Sequence, residues 1–258
     1  MEQRSIAVSI KKVSKRYLHQ GREVPVLQEI DLTVPQAAFV SLVGPSGCGK
    51  SSLLHLIAGL DEPDEGEIIL HGDSKSSRAG KCGYMLQQPL LLPWRTVEEN
   101  VILGLDVRKT PRKEALEKAR DLLKRFGLAD FAENYPATLS GGMKQRVALL
   151  RTVLFQNELL LLDEPFGALD ALTRQTMHLW LQDLWESISA SVLLVTHDIR
   201  EAIFLSDTIY VMSHRPARIL QRYDVDLPRP RKIEDLSQEH VIQLEQKIFA
   251  QLMEEEKV

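Results

Sequence analysis

Gly44-Pro45-Ser46-Gly47-Cys48-Gly49-Lys50-Ser51 follows the apolar run Phe39-Val40-Ser41-Leu42-Val43 and leads into Ser51–Gly59, where Leu53, Leu54, Ile57 and Ala58 recur at helical spacing. Strand, glycine-rich loop and helix form the context in which the pattern G-x-x-x-x-G-K-[ST] has a physical mechanism. The glycines let the backbone approach phosphate oxygens. Successive N–H groups and the helix N-terminus then form an anion cradle. Lys50 is expected to reach the β- and γ-phosphates and Ser51 to ligate Mg²⁺. The sulfur of Cys48, inside the loop, is incidental.

Further along, Leu159-Leu160-Leu161-Leu162-Asp163-Glu164 is an apolar strand ending in two carboxylates. Such a strand places acids at the C-terminal edge of a buried sheet, where phosphoryl-transfer enzymes hold their metal. Asp163 is expected to take Mg²⁺ through water, and Glu164 to polarise the attacking water as general base. Alone this pattern is weak; with the phosphate loop it defines a nucleoside-triphosphatase core. Val192–Val195 reads as another core strand. Between these strands Leu181, Leu184, Trp185 and Ile188 form the buried stripe of a helix, with no chemistry assigned to it.

Ile6–Val13 and Leu27–Val34 read as strands with an alternating face, and Glu67–Leu70 as a strand after the turn Asp61–Gly66. From Pro89 to Leu154 the pattern is helical. One helix is expected over Pro111–Phe126, with Thr110 as cap and proline first. Asn134-Tyr135-Pro136 breaks it, and a second helix starts near Ser140. The loop Asp226-Leu227-Pro228-Arg229-Pro230-Arg231 precedes an amphipathic helix near Leu236–Met253, which is either regulatory or packed on the core. The expected fold is α/β: a P-loop NTPase (RecA-like) core with an N-terminal antiparallel β subdomain and an inserted helical subdomain. In a single domain over 1–258, residues 1–88 and 155–220 form the nucleotide-binding core, 89–154 the helical subdomain, and 221–258 the C-terminal loop and helix.

Composition excludes several other classes. The 258 residues are 44% hydrophobic and 26% charged, with a net charge of −4. That is the globular range, with no basic excess for nucleic acid. Two cysteines, Cys48 and Cys82, cannot build a disulfide framework and read as reduced thiols. The opening MEQRSIAVSIKK lacks the apolar region of a secretory signal. The longest apolar runs are too short to span a bilayer, so any membrane role needs another polypeptide.

Leu139-Ser140-Gly141-Gly142-Met143-Lys144-Gln145-Arg146 decides the family. It resembles the LSGGQ signature of ATP-binding-cassette (ABC) proteins and lies between the phosphate loop and the Asp-Glu strand. Ser140 suits a helix N-cap, and two glycines allow backbone contact with phosphate. Other positions match the same family in order. Tyr17 falls where an aromatic stacks on adenine. Gln87 resembles the Q-loop glutamine that touches metal and attacking water. Ala168-Leu169-Asp170 resembles the D-loop, and His197 the switch histidine that contacts the γ-phosphate. The likeness runs from Val8 to about Ile219. It is strongest to importer ATPases for nitrate, aliphatic sulfonates and taurine, through Leu91–Val97, Met143, Pro165–Arg174, Val195–Phe204, Arg215–Ile219 and Asp226–Pro230. Departures leave every catalytic group in place. Ser52 replaces a threonine but keeps a hydroxyl, Gln36-Ala37-Ala38 replaces a Gly-Glu turn, Asn157 stands for a common proline, and Leu150-Arg151-Thr152 for Ala-Arg-Ala.

The resemblance implies a homodimer with two ATP molecules at its interface, where Tyr17, Lys50, Ser51, Gln87, Asp163, Glu164 and His197 of one copy meet Ser140–Gly142 of the other. It implies ATP and Mg²⁺ as ligands, integral membrane permease subunits as partners, and indirectly a solute-binding protein. It places the chain at the cytoplasmic face of the cell membrane as a peripheral subunit, with no nucleic acid. Leu90-Leu91-Leu92-Pro93-Trp94 is the expected contact with a permease helix; an ordinary buried loop is the alternative. Cassette ATPases of DNA repair or translation fit less well. The gap from Gln87 to Ser140 holds no coiled coil or zinc module, and each motif occurs once. A P-loop kinase has no use for the Leu139–Gln145 signature, and a purely regulatory cassette is separable only by its partner.

Overall fold

The apolar runs are strands in the computed structural model, which describes residues 5–155 and 158–255; Asn157 lies outside them. In chain order come strands β1 (Ile6–His19), β2 (Arg22–Pro35) and β3 (Phe39–Val43), helix α1 (Lys50–Ala58), and strands β4 (Glu65–Leu70) and β5 (Gly83–Met85). Helices α2 (Val97–Val101), α3 (Leu103–Val107), α4 (Arg112–Arg125) and α5 (Gly141–Phe155) follow, then strand β6 (Leu159–Asp163) and helix α6 (Ala171–Ile188). Strand β7 (Ser191–Thr196), helix α7 (Ile199–Leu205), strands β8 (Thr208–Met212) and β9 (Ile219–Asp224), and helix α8 (Glu239–Glu255) complete the chain. They fall into two units, one holding residues up to Lys81 and from Ser189 on, the other Cys82–Ile188.

In the first unit β3 lies between β7 and β8, parallel to both. All of β3, β7 and β8 is buried, which is why these strands read as continuous apolar runs rather than alternating ones. β9 pairs antiparallel with β8. Val43, Ala202, Ile203, Ile209 and Val211 pack with Leu227, Val241 and Ile248, so the tail loop and α8 are part of this core. A separate antiparallel sheet has the order β2-β1-β4.

The hairpin of β1 and β2 is longer than its alternation suggests. The turn Gln20-Gly21 has both residues at positive φ (51° and 76°), the geometry whose twist suits a two-residue hairpin. Lys12 and Glu29 are also at positive φ, 47° each, and the register shifts between Ile10 and Val13. Bulges of this kind reset which side chains face inward and so interrupt the period-two pattern.

In the second unit β5 and β6 pair in parallel, and α5 packs against α2, α3, α4 and α6. Helix α4 starts one residue later than expected. Pro111 has ψ 127°, outside the helical region, and serves as N-cap. Its carbonyl accepts from Ala115 N at 3.0 Å, while Thr110 N donates to Leu105 O at 3.0 Å and closes the preceding helix instead. Helix α2 has a full capping box: Thr96 Oγ1 accepts from Glu99 N at 3.3 Å, and Glu99 Oε2 from Thr96 N at 3.0 Å. That backbone bond, with Arg112 beside it, holds the Glu99 carboxyl below the usual range against the opposing effect of burial. Thr96→Ala is expected to cost about 1 kcal/mol, read as a lower urea midpoint; an unchanged midpoint contradicts the assignment.

Candidate functional site

Strand register brings the phosphate loop and His197 to one edge. Val43, the last residue of β3, is opposite Thr196, the last of β7. Gly44 and His197 therefore leave the sheet side by side at the C-terminal ends of parallel strands, where ligands bind in open α/β sheets. Ser46 and Gly47 form the exposed crest of the loop, and Ser51 is exposed on the first turn of α1. Lys50 is only 4% exposed. Its ammonium donates to Gly44 O and Pro45 O, at 2.8 Å each, which holds it along the loop. Gly49 caps α1 at φ 126°, and a Cβ there would lie 2.9 Å from Val26 Cγ1 and 3.0 Å from Leu27 Cδ2. This glycine is required by backbone conformation and by packing on β2. Burial pushes the Cys48 thiol above its ordinary range, and Cys82, also buried, up to about 12. Neither behaves as a reactive thiol.

Tyr17 sits on β1 and is tied to the start of α1. Its hydroxyl donates to Asp61 Oδ2 at 3.0 Å and shares a hydrogen bond with Ser52. Burial first, then Asp61, raises the phenol. The Lys15 ammonium lies 5.2 Å from the Tyr17 ring centroid. It also donates to Asp61 Oδ1 at 2.9 Å and Glu62 O at 2.7 Å. Burial opposes ionisation of Asp61, yet the bonds from Lys15, Glu62 N and Tyr17 hold its carboxyl below the usual range. Lys15 and Asp61 escaped sequence reasoning; a lysine two residues before the aromatic on the same strand face was the available signal.

In the second unit the register repeats the device. Met85 of β5 is opposite Leu162 of β6, so Gln87 and the pair Asp163–Glu164 emerge at the same edge. Gln87 Nε2 donates to Glu164 Oε2 at 3.3 Å, and Tyr84 Oη approaches Asp163 Oδ2 at 3.4 Å. Burial, then the Asp163 charge, pushes the Tyr84 phenol far above its ordinary range, so it stays a neutral donor. Glu164 holds φ 42°, a left-handed conformation that a non-glycine residue adopts at a cost of about 1–3 kcal/mol.

The signature begins α5. Ser140 Oγ accepts from Met143 N at 3.3 Å, the N-cap bond its type suggests. Asp170 in turn caps α6, accepting from Thr173 N at 3.0 Å, and Leu169 touches the Gly141 position. The same α5 holds the segment after Gln87. Gln145 Nε2 donates to Gln87 O at 3.4 Å, and Arg151 donates to Pro89 O at 2.7 Å and Leu90 O at 2.8 Å. Buried Asn100 accepts from Leu92 N at 2.7 Å and donates to Leu92 O, Arg95 O and Thr96 O. With its backbone fixed this way, the segment keeps Leu90 54% and Trp94 71% exposed. Asn100 was missed entirely and Arg151 noted only as a departure, because bonds to backbone carbonyls leave no periodic trace.

Tyr17, the phosphate loop, Ser52 and His197 thus belong to the first unit, and Gln87, Asp163, Glu164 and Ser140–Gly142 to the second. Among the described residues no group of three or more His, Cys, Asp or Glu side chains is placed to hold a metal. Ser51 in the first unit, and Gln87 and Asp163 in the second, each carry an oxygen of the kind Mg²⁺ takes as ligand. No helix among the described residues is long and apolar enough to cross a membrane.

Residues 27–167 match the family described as ABC transporter. The aliphatic sulfonates import ATP-binding protein SsuB of Bacillus cereus is 44% identical over 226 residues, covering 88% of this chain and 89% of that protein. The nitrate import ATP-binding protein NrtD of Synechocystis is 41% identical over 221 residues, covering 86% and 83%. Among solved structures, the dimeric post-hydrolysis state of the ATP-binding cassette MJ0796, bound to ADP and Pi, superposes with a TM-score of 0.73 at 32% identity, covering 86% of this chain and all of that one.

Asn100→Ala removes the side-chain donor shared by Leu92 O, Arg95 O and Thr96 O and the acceptor of Leu92 N, although Leu92 O keeps Arg95 N and Thr96 O keeps Asn100 N. It is expected to lower stability by about 1–3 kcal/mol and to expose the bond after Arg95 to trypsin. Wild-type resistance at Arg95 in that variant contradicts the clamp.

Proposed function

The chain belongs to the ABC transporter family, and on that premise we propose that it is the ATP-binding and ATP-hydrolysing subunit of an importer. It energises uptake of a small anion-type solute, such as nitrate, a sulfonate or taurine, through separate membrane subunits. The observation that carries the reading is the Gln87 amide on the Glu164 carboxylate, 3.3 Å apart at the end of a buried strand pair. A carboxylate oriented by an amide donor, next to a buried aspartate, is suited to taking a proton from water.

The residues divide the work. The loop over residues 44–52, through its backbone N–H groups (Pro45 has none) and the Lys50 ammonium, binds the β- and γ-phosphates, and Tyr17 stacks on adenine. Ser51, Gln87 and Asp163 would hold Mg²⁺, which when bound neutralises charge on the phosphate oxygens. Glu164 takes the proton of the attacking water, Gln87 orients that water, and His197 contacts the γ-phosphate. Ser140, Gly141 and Gly142 of a second copy complete the site, so hydrolysis follows dimer closure. Residues 89–154 act as the helical signature subdomain beside a core of 1–88 and 155–220, with 221–258 as a C-terminal extension. Exposed Leu90 and Trp94 receive a permease helix at the cytoplasmic face of the membrane. A solute-binding protein acts on the far side of that permease.

Glu164→Gln is expected to keep ATP binding, lower turnover by about 10²–10⁴-fold, and accumulate an ATP-bound dimer on size exclusion. Undiminished hydrolysis would assign the water to another group. Lys50→Ala should weaken nucleotide binding itself; ATP affinity equal to wild type by calorimetry removes the phosphate-loop role.

A further inference from the structure

Arg231 is the largest side chain in the fully buried set, at 2% exposure, and the mechanism above gives it no role. It comes from the loop Asp226–Arg231, which precedes α8. Its Nη1 lies 2.9 Å from Ile203 O, 2.9 Å from Phe204 O and 2.8 Å from Ser206 O. Arg229, two residues earlier, donates through Nη2 to Leu205 O at 2.6 Å. A helix leaves its last four carbonyls without intrahelical partners. In α7 the last bond of the ladder runs from Ser206 N to Ala202 O. The four carbonyls left over are those of Ile203, Phe204, Leu205 and Ser206, and two arginines from one loop take all four. Both cations also sit at the favourable end of the helix dipole.

Asp207 fixes the arginines in turn. Its Oδ1 accepts from Arg229 at 2.8 Å and lies 3.8 Å from Arg231, while its Oδ2 accepts from Phe39 N at 2.9 Å. Burial, then the like charge of Arg229, lowers the Arg231 guanidinium to about 10, still a cation at neutral pH. Its interaction with Asp207 opposes that shift.

Helix α7 starts at the nucleotide edge. Asp198 is its N-cap, accepting from Arg200 N at 2.9 Å and Glu201 N at 3.1 Å, and Asp198 N donates to Thr196 Oγ1 at 3.0 Å. His197 is the one residue between strand β7 and that cap. The helix has seven residues, about 10 Å of rise, and is too short to hold its position by its own hydrogen bonds. Val241 and Ile248 of α8 share one core cluster with its Ala202 and Ile203, and Arg200 pairs with Glu245 at 3.4 Å. His197 is thus held between the end of β7 and the cap of α7, so anchoring the C-terminal end of this short rod restrains the end that adjoins His197.

We infer that Arg231, supported by Arg229, is a positioning residue for ATP hydrolysis: it anchors the carbonyl end of α7 and thereby fixes His197, which makes turnover depend on the C-terminal segment. The inference rests on the reading that His197 contacts the γ-phosphate.

A double-mutant cycle on the purified full-length chain tests it, with kcat and KM for Mg-ATP and the affinity for a fluorescent ATP analogue as readouts. Arg231→Gln is expected to lower kcat at least about tenfold while KM and analogue affinity stay within about twofold. Arg231→Lys, which keeps a cation, should recover part of that loss. In a His197→Ala background the same Arg231→Gln change should alter kcat by no more than about twofold, because coupled residues are non-additive. Equal losses in both backgrounds, or a loss carried by KM, would reduce Arg231 to a stabilising cap and overturn the inference. Should Arg231→Gln not fold, Arg229→Gln, which removes one carbonyl contact and the ion pair with Asp207 on a less buried residue, runs the same cycle with the same criteria. Unchanged kcat in His197→Ala alone overturns the role of His197 and the inference with it, a result distinct from additive losses.

Discussion

Parallel pairing in register is the constraint on which the chemistry depends. Val43 against Thr196 aligns the phosphate loop with His197, and Met85 against Leu162 aligns Gln87 with Asp163 and Glu164. A slip of one residue along a strand would turn its side chains to the other face and withdraw the edge groups. β3, β6 and β7 hold these pairings as fully buried strands. The apolar runs and, within each unit, the groups at the strand ends follow from the same parallel pairing.

In both units the chain secures loops with side chains on backbone carbonyls. Lys50 holds the phosphate loop through Gly44 O and Pro45 O, Arg151 holds Pro89 O and Leu90 O, Asn100 holds the turn after it, and Arg229 with Arg231 closes α7. Lys50 and Arg151 meet carbonyls in this way, whereas Arg229 adds an ion pair with Asp207 at 2.8 Å. Glu164 keeps a left-handed backbone just after β6, with its carbonyl accepting from Gly167 N at 3.3 Å and its carboxylate from Gln87 Nε2 at 3.3 Å.

Legibility in the sequence follows from these two kinds of interaction. Phe39–Val43, Leu159–Leu162 and Val192–Val195 were readable because burial on both faces leaves an unbroken apolar run. Ser140 was readable as a cap because its side chain bonds its own helix within three residues. The length of β1 and β2 was not, since bulges at Lys12 and Glu29 break the alternation. Pro111 was misread by one position, because proline suits both the cap and the first turn. Asn100, Arg151 and Arg231 were invisible as functional supports: each acts on carbonyls of segments distant in sequence or irregular in form, and no spacing rule records that. Family relationship, established by 41–44% identity across most of the chain to ATP-binding proteins of sulfonate and nitrate import, agrees with the order of the motifs.

The central claim is that this ATPase works on a membrane partner. Its most direct test is to express the tagged chain in its native host, solubilise the membranes in mild detergent, and identify what co-purifies. The account predicts a polytopic membrane protein retained in equal amount. Recovery only from the soluble fraction, with no membrane protein attached even when ATP is present and hydrolysis is blocked, would contradict it.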